Sequence, residues 1–262
     1  MLIVGLFLLA LAIGVLSTSF WVPEDDLGRG YFQTNALVVL GLLGIAVGLV
    51  ITGTVQPWPE TQGDKFLYLG FGASLLVYAG IWRENWILGR IAAGTALLAL
   101  SISLLQVDLA GRLPEVLPLL GRMSLLLSAL VLGWSLVTML LGHWYLVAPK
   151  LDFLHLRRFS WILLVLIVVR ALASAIALVL ASGLSDPSNW LALTSGGGWA
   201  MFLWIRILWG LLGALLLSAM ALHCARQGAN QSATGILYVV VISVWIGEAT
   251  SLFLLSVTGV PV

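Results

Sequence analysis

The sequence predicts an all-α, polytopic integral membrane helix bundle of about eight transmembrane helices joined by short loops. Hydrophobic residues make up 61% of the chain and charged residues 9%, with a mean hydropathy of +1.11; an average soluble domain is about 25% charged. Apolar runs long enough to cross the hydrocarbon core as helices recur along the chain, and the polar stretches between them are too short to fold separately. Residues 1–262 therefore read as one transmembrane domain in contact with the lipid bilayer.

The first span, 1–21, has no basic region before it and no convincing small-residue cleavage site after it, so it is expected to be a retained helix rather than a secretory signal. The second, 35–54, follows the polar stretch Pro23 to Arg29 and precedes PWPETQGDK, where Pro57, Pro59 and Gly63 mark a loop. Spans three, 66–82, and four, 86–107, flank the turn Arg83-Glu84-Asn85 and should form an antiparallel hairpin. Gly111 and Pro114 lie in the next connection, 108–115. The fifth run, 117–147, exceeds the roughly 20 residues a span needs, which predicts a tilt or a start outside the hydrocarbon with Arg122 snorkelling to the interface. The sixth span is 159–182. A loop rich in Ser, Asn and Gly, 183–196, leads to the seventh, 197–224, and Ser232 is a candidate N-cap for the eighth, 233–259.

Trp21, Trp58, Trp82, Trp86, Trp144, Trp161, Trp190 and Trp199 fall at span ends, where amphipathic rings sit at the headgroup level. Trp134, Trp204, Trp209 and Trp245 lie deeper and are read as helix-packing residues. Arg29, Arg83, Arg90, Lys150, Arg157, Arg158 and Arg226 flank one set of loops, against Lys65, Arg112 and Arg122 on the other. The excess places the first set in the cytoplasm and both termini outside, in a membrane expected to be a prokaryotic plasma membrane.

Depth along the spans picks out two constellations. Arg170 lies near the middle of span six, Arg206 about 12–15 Å from the outer end of span seven, and Glu248 at a similar depth in span eight. An isolated charge there is costly, so the three should face the bundle interior and pair. One carboxylate neutralises one arginine, and the surplus positive charge suits an anion such as a carboxylate, a propionate or a phosphate. Ser174, Gly210, Gly213, Ser251 and Ser256 share faces with these residues. In span five, Ser124, Ser128, Ser135 and Thr138 form a hydroxyl stripe, read as interhelical glue or one wall of a polar path.

His143 and His223 stand at matching depths near the cytoplasmic ends of spans five and seven. Two imidazoles from separate helices are what a low-spin haem b iron needs, with Gly142 giving a porphyrin edge room. Arg157, Arg158 and Arg226 could then hold its propionates, and a copper or other metal site on the two histidines is the alternative. His155, in DFLHLRR, is expected to be solvated.

Cys224 is the one cysteine, which excludes an intrachain disulfide and any multi-cysteine metal cage. A formal charge of +1 provides no field for nucleic acid, and no polybasic run of the kind that binds anionic lipid is present. GxSxG, HExxH and P-loop motifs are missing, so no enzyme class is indicated. Three readings follow. The first is a membrane subunit of an electron-transfer complex, of respiratory or photosynthetic type, binding haem b or quinone beside other membrane subunits. The second is a permease-like carrier of a small anionic solute or a proton-coupled carrier, and the third a non-catalytic scaffold or assembly subunit.

Overall fold

The computed structural model describes residues 2–22, 24–54, 63–107, 118–147, 154–184, 193–194 and 198–262, and every regular element among them is helical. In chain order these are α1 (Leu2–Thr18), α2 (the single turn Glu24–Leu27), α3 (Arg29–Ile51), α4 (Gly63–Trp82), α5 (Trp86–Leu105), α6 (Pro118–Val147), α7 (Leu154–Leu184), α8 (Ala200–Arg226) and α9 (Asn230–Thr258). Six of them, α3 and α5 to α9, are long and apolar enough to cross a membrane, and the chain is an integral membrane protein. The other two long helices are α1, with 17 residues, and α4, which starts with Asp64 and Lys65 in its first turn.

A helix that is apolar on every side has no face to offer water and belongs in the middle of a bundle. That is where α1 lies. Leu9, Ala10, Leu11, Ala12, Val15 and Leu16 are all buried, and α1 touches α3, α5, α6 and α9. Its closest approach is to α6 at Gly14 and Gly133, where a Cβ on either glycine would strike the other helix's backbone. Just beyond that crossing, Trp134 Nε1 on α6 donates to Ser17 Oγ at 3.1 Å. The α1–α6 seam joins two groups, α1 with α3, α4 and α5 on one side and α6 with α7, α8 and α9 on the other.

The α4–α5 hairpin has the expected turn. Asn85 caps α5 by accepting from Leu88 N–H at 3.0 Å, Glu84 turns the chain at φ 58, and its carboxylate meets Arg29 Nη1 at 2.9 Å. Helices extend past the apolar runs that mark them, because backbone hydrogen bonding continues into the interface after hydrophobicity has ended. Accordingly α3 starts at Arg29 rather than near 35, after Gly28 at φ 75 ends α2, and α7 starts at Leu154 rather than near 159. The earlier start of α7 takes His155 out of the loop. It is 8% exposed, and Nε2 lies 2.9 Å from Asp26 Oδ2, so this histidine clips α2 to α7 instead of being solvated.

Ser232 lies inside the first turn of α9. The cap position is Ala229, after Gly228 at φ 73 has ended the preceding turn. Trp134 and Trp245 pack between helices, against Trp21 and Phe159 and against Phe7 respectively. Trp204 and Trp209, at 56% and 46% exposure, instead lie on the outer surface. The loop around Pro57 and Pro59, the connection 108–115, most of 183–196, and Trp58, Arg112, Lys150 and Trp190 fall outside the described residues.

Candidate functional site

Helix α8 changes its winding where it carries its buried charge. Ile205–Gly213 forms a π-helix, flanked by α-helical Ala200–Trp204 and Ala214–Arg226. A π segment spaces its hydrogen bonds one residue wider than an α-helix and is found frequently at functional sites. Here it turns Arg206 and Gly210 together toward α9. Gly210 and Gly247 on α9 meet so closely that a Cβ on either would overlap the other's Cα, and a Cβ on Gly247 would also lie 3.1 Å from Arg206 Nη1. The contact brings the two backbones near enough for the arginine to reach Glu248.

Arg170 on α7, Arg206 on α8 and Glu248 on α9 converge, with exposures of 1%, 0% and 1%. Glu248 lies between the two guanidinium groups. Arg206 Nη1 donates to Oε1 at 2.9 Å, and Arg170 uses its Nε–Nη2 edge, with Nη2 to Oε2 at 3.1 Å and Nε at 3.2 Å from both oxygens. Ser128 on α6 donates to Oε2 at 2.6 Å, so a member of the hydroxyl stripe completes the carboxylate's shell. The rest of the stripe is helix-internal or remote: Ser135 and Thr138 bond back to Leu132 and Trp134 on α6, and Ser124 faces the Pro261 carbonyl at 3.5 Å.

The two arginines are served unequally. Arg170 also reaches Ser251 Oγ at 2.8 Å, Ser128 Oγ at 3.2 Å, Ser174 Oγ at 3.3 Å and the Val262 main-chain oxygen at 3.0 Å. Residues 259–262 turn back into the bundle after Gly259 at φ 70, and Ser251 bonds the same Val262 oxygen. Val260 and Val262 pack with Ala181, Leu203 and Leu254 and cover one end of the cluster with apolar surface. Arg206, by contrast, meets Glu248 through Nη1 alone. Its Nη2 reaches Ser174 Oγ at 3.5 Å, and its buried Nε has no partner among the described residues. The Nε–Nη2 edge is the one a guanidinium offers to a planar anion in a bidentate contact. Two arginines and one glutamate leave one positive charge in excess among these side chains.

The histidines are not brought together in this way. His143 and His223 are both exposed, His143 Nδ1 lying 3.1 Å from Tyr238 Oη and His223 Nε2 lying 3.0 Å from Gln227 Nε2. The helices that carry them share no extended contact, since α7 and α9 pack against both and stand between. Among the described residues no group of three or more His, Cys, Asp or Glu side chains could hold a metal ion. Arg157, Arg158 and Arg226 do converge, around Trp161, where the N-terminal end of α7 packs beside the C-terminal end of α8.

Ser128 is the cluster member that charge alone does not reveal. Its signal in the sequence is the hydroxyl spacing along span five, and the ion pairs it serves come from three other helices. Comparison with protein-family models, curated proteins and solved structures finds no match, so the reading of this site rests on its own geometry.

Proposed function

We propose that the protein is a permease-like carrier of a small anionic solute and that the Arg170–Arg206–Glu248 cluster is its binding site. The observation that carries this reading is the Nε–Nη2 edge of Arg206, buried, positively charged and with Nε unpartnered among the described residues. A carboxylate or phosphate seated there would supply the missing acceptor. Many secondary carriers build their sites where a helix departs from regular α winding, and α8 departs from it at Arg206. The closed packing around the cluster corresponds to an occluded state. Access would require α8 and α9 to part at Gly210 and Gly247.

The electron-transfer reading rests on His143 and His223, and their exposure and separate partners favour it less. The excess of basic residues on one side supports external termini, with a prokaryotic plasma membrane as the proposed location, and other membrane subunits would have the apolar outer faces available to them.

The test is uptake of labelled acetate, succinate and inorganic phosphate by proteoliposomes. Uptake of one of them above protein-free vesicles, lost in Arg206→Gln while the variant stays folded, is the expected result. If none of the three is taken up, or if Arg206→Gln transports as well as the parent, the cluster is a static structural element. An optical spectrum of the purified protein, oxidised and then reduced with dithionite, tests the second reading: a haem b band lost in His143→Ala or His223→Ala would restore it.

A further inference from the structure

No short stretch of the sequence is strongly basic, yet the fold makes a basic cleft from two distant segments. Arg157 and Arg158 are the fourth and fifth residues of α7, and Arg226 comes from the last turn of α8. With Leu154, Trp161 and Leu222 they line an open cleft of about 220 Å³. All three arginines are exposed, and among the described residues none has an ion pair or hydrogen bond to a carboxylate. The Arg226 guanidinium lies 6.0 Å from the Trp161 ring centroid, which holds it over the cleft. Arg226 suits the negative end of its helix dipole. Arg157 and Arg158, however, add positive charge to the positive end of α7, an unfavourable placement that an anion in the cleft would reverse.

Directly along α7 from this cleft runs an apolar stripe that nothing among the described residues covers. Trp161, Val165, Val168, Val169 and Leu172 follow one another at helical spacing on one face, with exposures of 51%, 40%, 39%, 41% and 60%. Three guanidinium groups at the head of an uncovered apolar stripe match a molecule with an anionic head and long apolar tails. We propose that this cleft binds the phosphate of an anionic phospholipid, with the acyl chains lying along the exposed face of α7. The cleft lies on the side where the excess of basic residues collects, the side that faces the more anionic leaflet. This site is separate from the buried charge cluster and does not depend on the carrier reading.

The experiment compares thermal unfolding of the purified protein in nanodiscs of phosphatidylcholine alone and in nanodiscs that also contain phosphatidylglycerol, with inorganic phosphate added to the first in a third arm. Phosphatidylglycerol should raise the midpoint, inorganic phosphate should not, and native mass spectrometry should find phosphatidylglycerol retained on the protein. Each guanidinium removed should weaken retention about fivefold, as expected for roughly 1 kcal/mol per basic residue near the surface. Arg226→Gln is the first variant, and Arg122→Gln, which removes an exposed arginine on α6, is its charge-matched control and should leave retention unchanged. The proposal is overturned if Arg122→Gln weakens retention as much as Arg226→Gln. It is also overturned if inorganic phosphate stabilises as well as the lipid, or if Arg157→Gln with Arg158→Gln and Arg226→Gln retains phosphatidylglycerol like the parent.

Discussion

A charged side chain in the hydrocarbon region persists when its partners compensate for the water it has lost, and Glu248 has three of them: Arg170, Arg206 and Ser128. Replacing Glu248 with Gln would leave two buried guanidinium groups facing each other, and we expect a loss of about 3–5 kcal/mol. Combining it with Arg206→Gln should recover part of that loss, giving a coupling of about 1–3 kcal/mol in a double-mutant cycle of detergent unfolding midpoints. Additive costs would mean that the two side chains do not interact. Ser128→Ala removes the hydrogen bond donated to Glu248 and the one accepted from Arg170, and should cost about 1.5–3 kcal/mol, less than either charge change. Arg206→Lys is informative for a different reason. It keeps the charge but has no planar edge, so anion uptake should fall even if the fold is retained.

At the scale of the helix, close backbone approach sets the geometry. The Gly210–Gly247 contact brings α8 and α9 together beside the cluster, and the Gly14–Gly133 contact does the same for α1 and α6. Small residues at such crossings allow the van der Waals contact that drives helix association in lipid. Gly247→Ala should cost about 1–3 kcal/mol by overpacking, and because its new Cβ would press on Arg206 it should also impair any anion uptake. Gly14→Leu, at a crossing that joins the two helix groups, should reduce stability without a specific effect on the cluster. Comparing unfolding midpoints with uptake rates across the two variants separates packing from site geometry. The clip between His155 and Asp26 is a smaller matter. His155→Ala should lower stability by about 0.5–1.5 kcal/mol, the worth of one hydrogen bond.

For the whole molecule, the basic residues predict that the turn between α8 and α9 faces the cytoplasm. With Cys224 replaced by Ala, a single cysteine placed at the exposed Gln231 should react with a membrane-impermeant thiol reagent in inverted vesicles and be protected in intact cells. The reverse pattern would invert the topology and move the arginine cleft to the other leaflet. The division of the bundle into α1 with α3 to α5, and α6 to α9, also assigns tasks. The charge cluster lies wholly in the second group, built on α6, α7, α8 and α9, while α1 ties the first group to it.

Composition and hydropathy were sufficient for the solvent, the helical class and the approximate spans, because a bilayer leaves the backbone few ways to satisfy its polar groups and so ties apolar length directly to secondary structure. Depth arithmetic on Arg170, Arg206 and Glu248 also worked, since helical rise per residue is nearly constant and unpaired charge at that depth is costly. Rotation about the helix axes and the choice of neighbours were not legible. His143 and His223 stand at matching depths, but the packing of α7 and α9 between their helices and the outward direction of both rings keep them with separate partners. Trp204 and Trp209 face outward for the same reason. Arg157, Arg158 and Arg226 are separated by most of two helices in the sequence, and only the antiparallel packing of α7 and α8 makes them neighbours. Depth follows from a one-dimensional count, whereas facing depends on how every helix packs against the others, and that was decided by the tertiary structure alone.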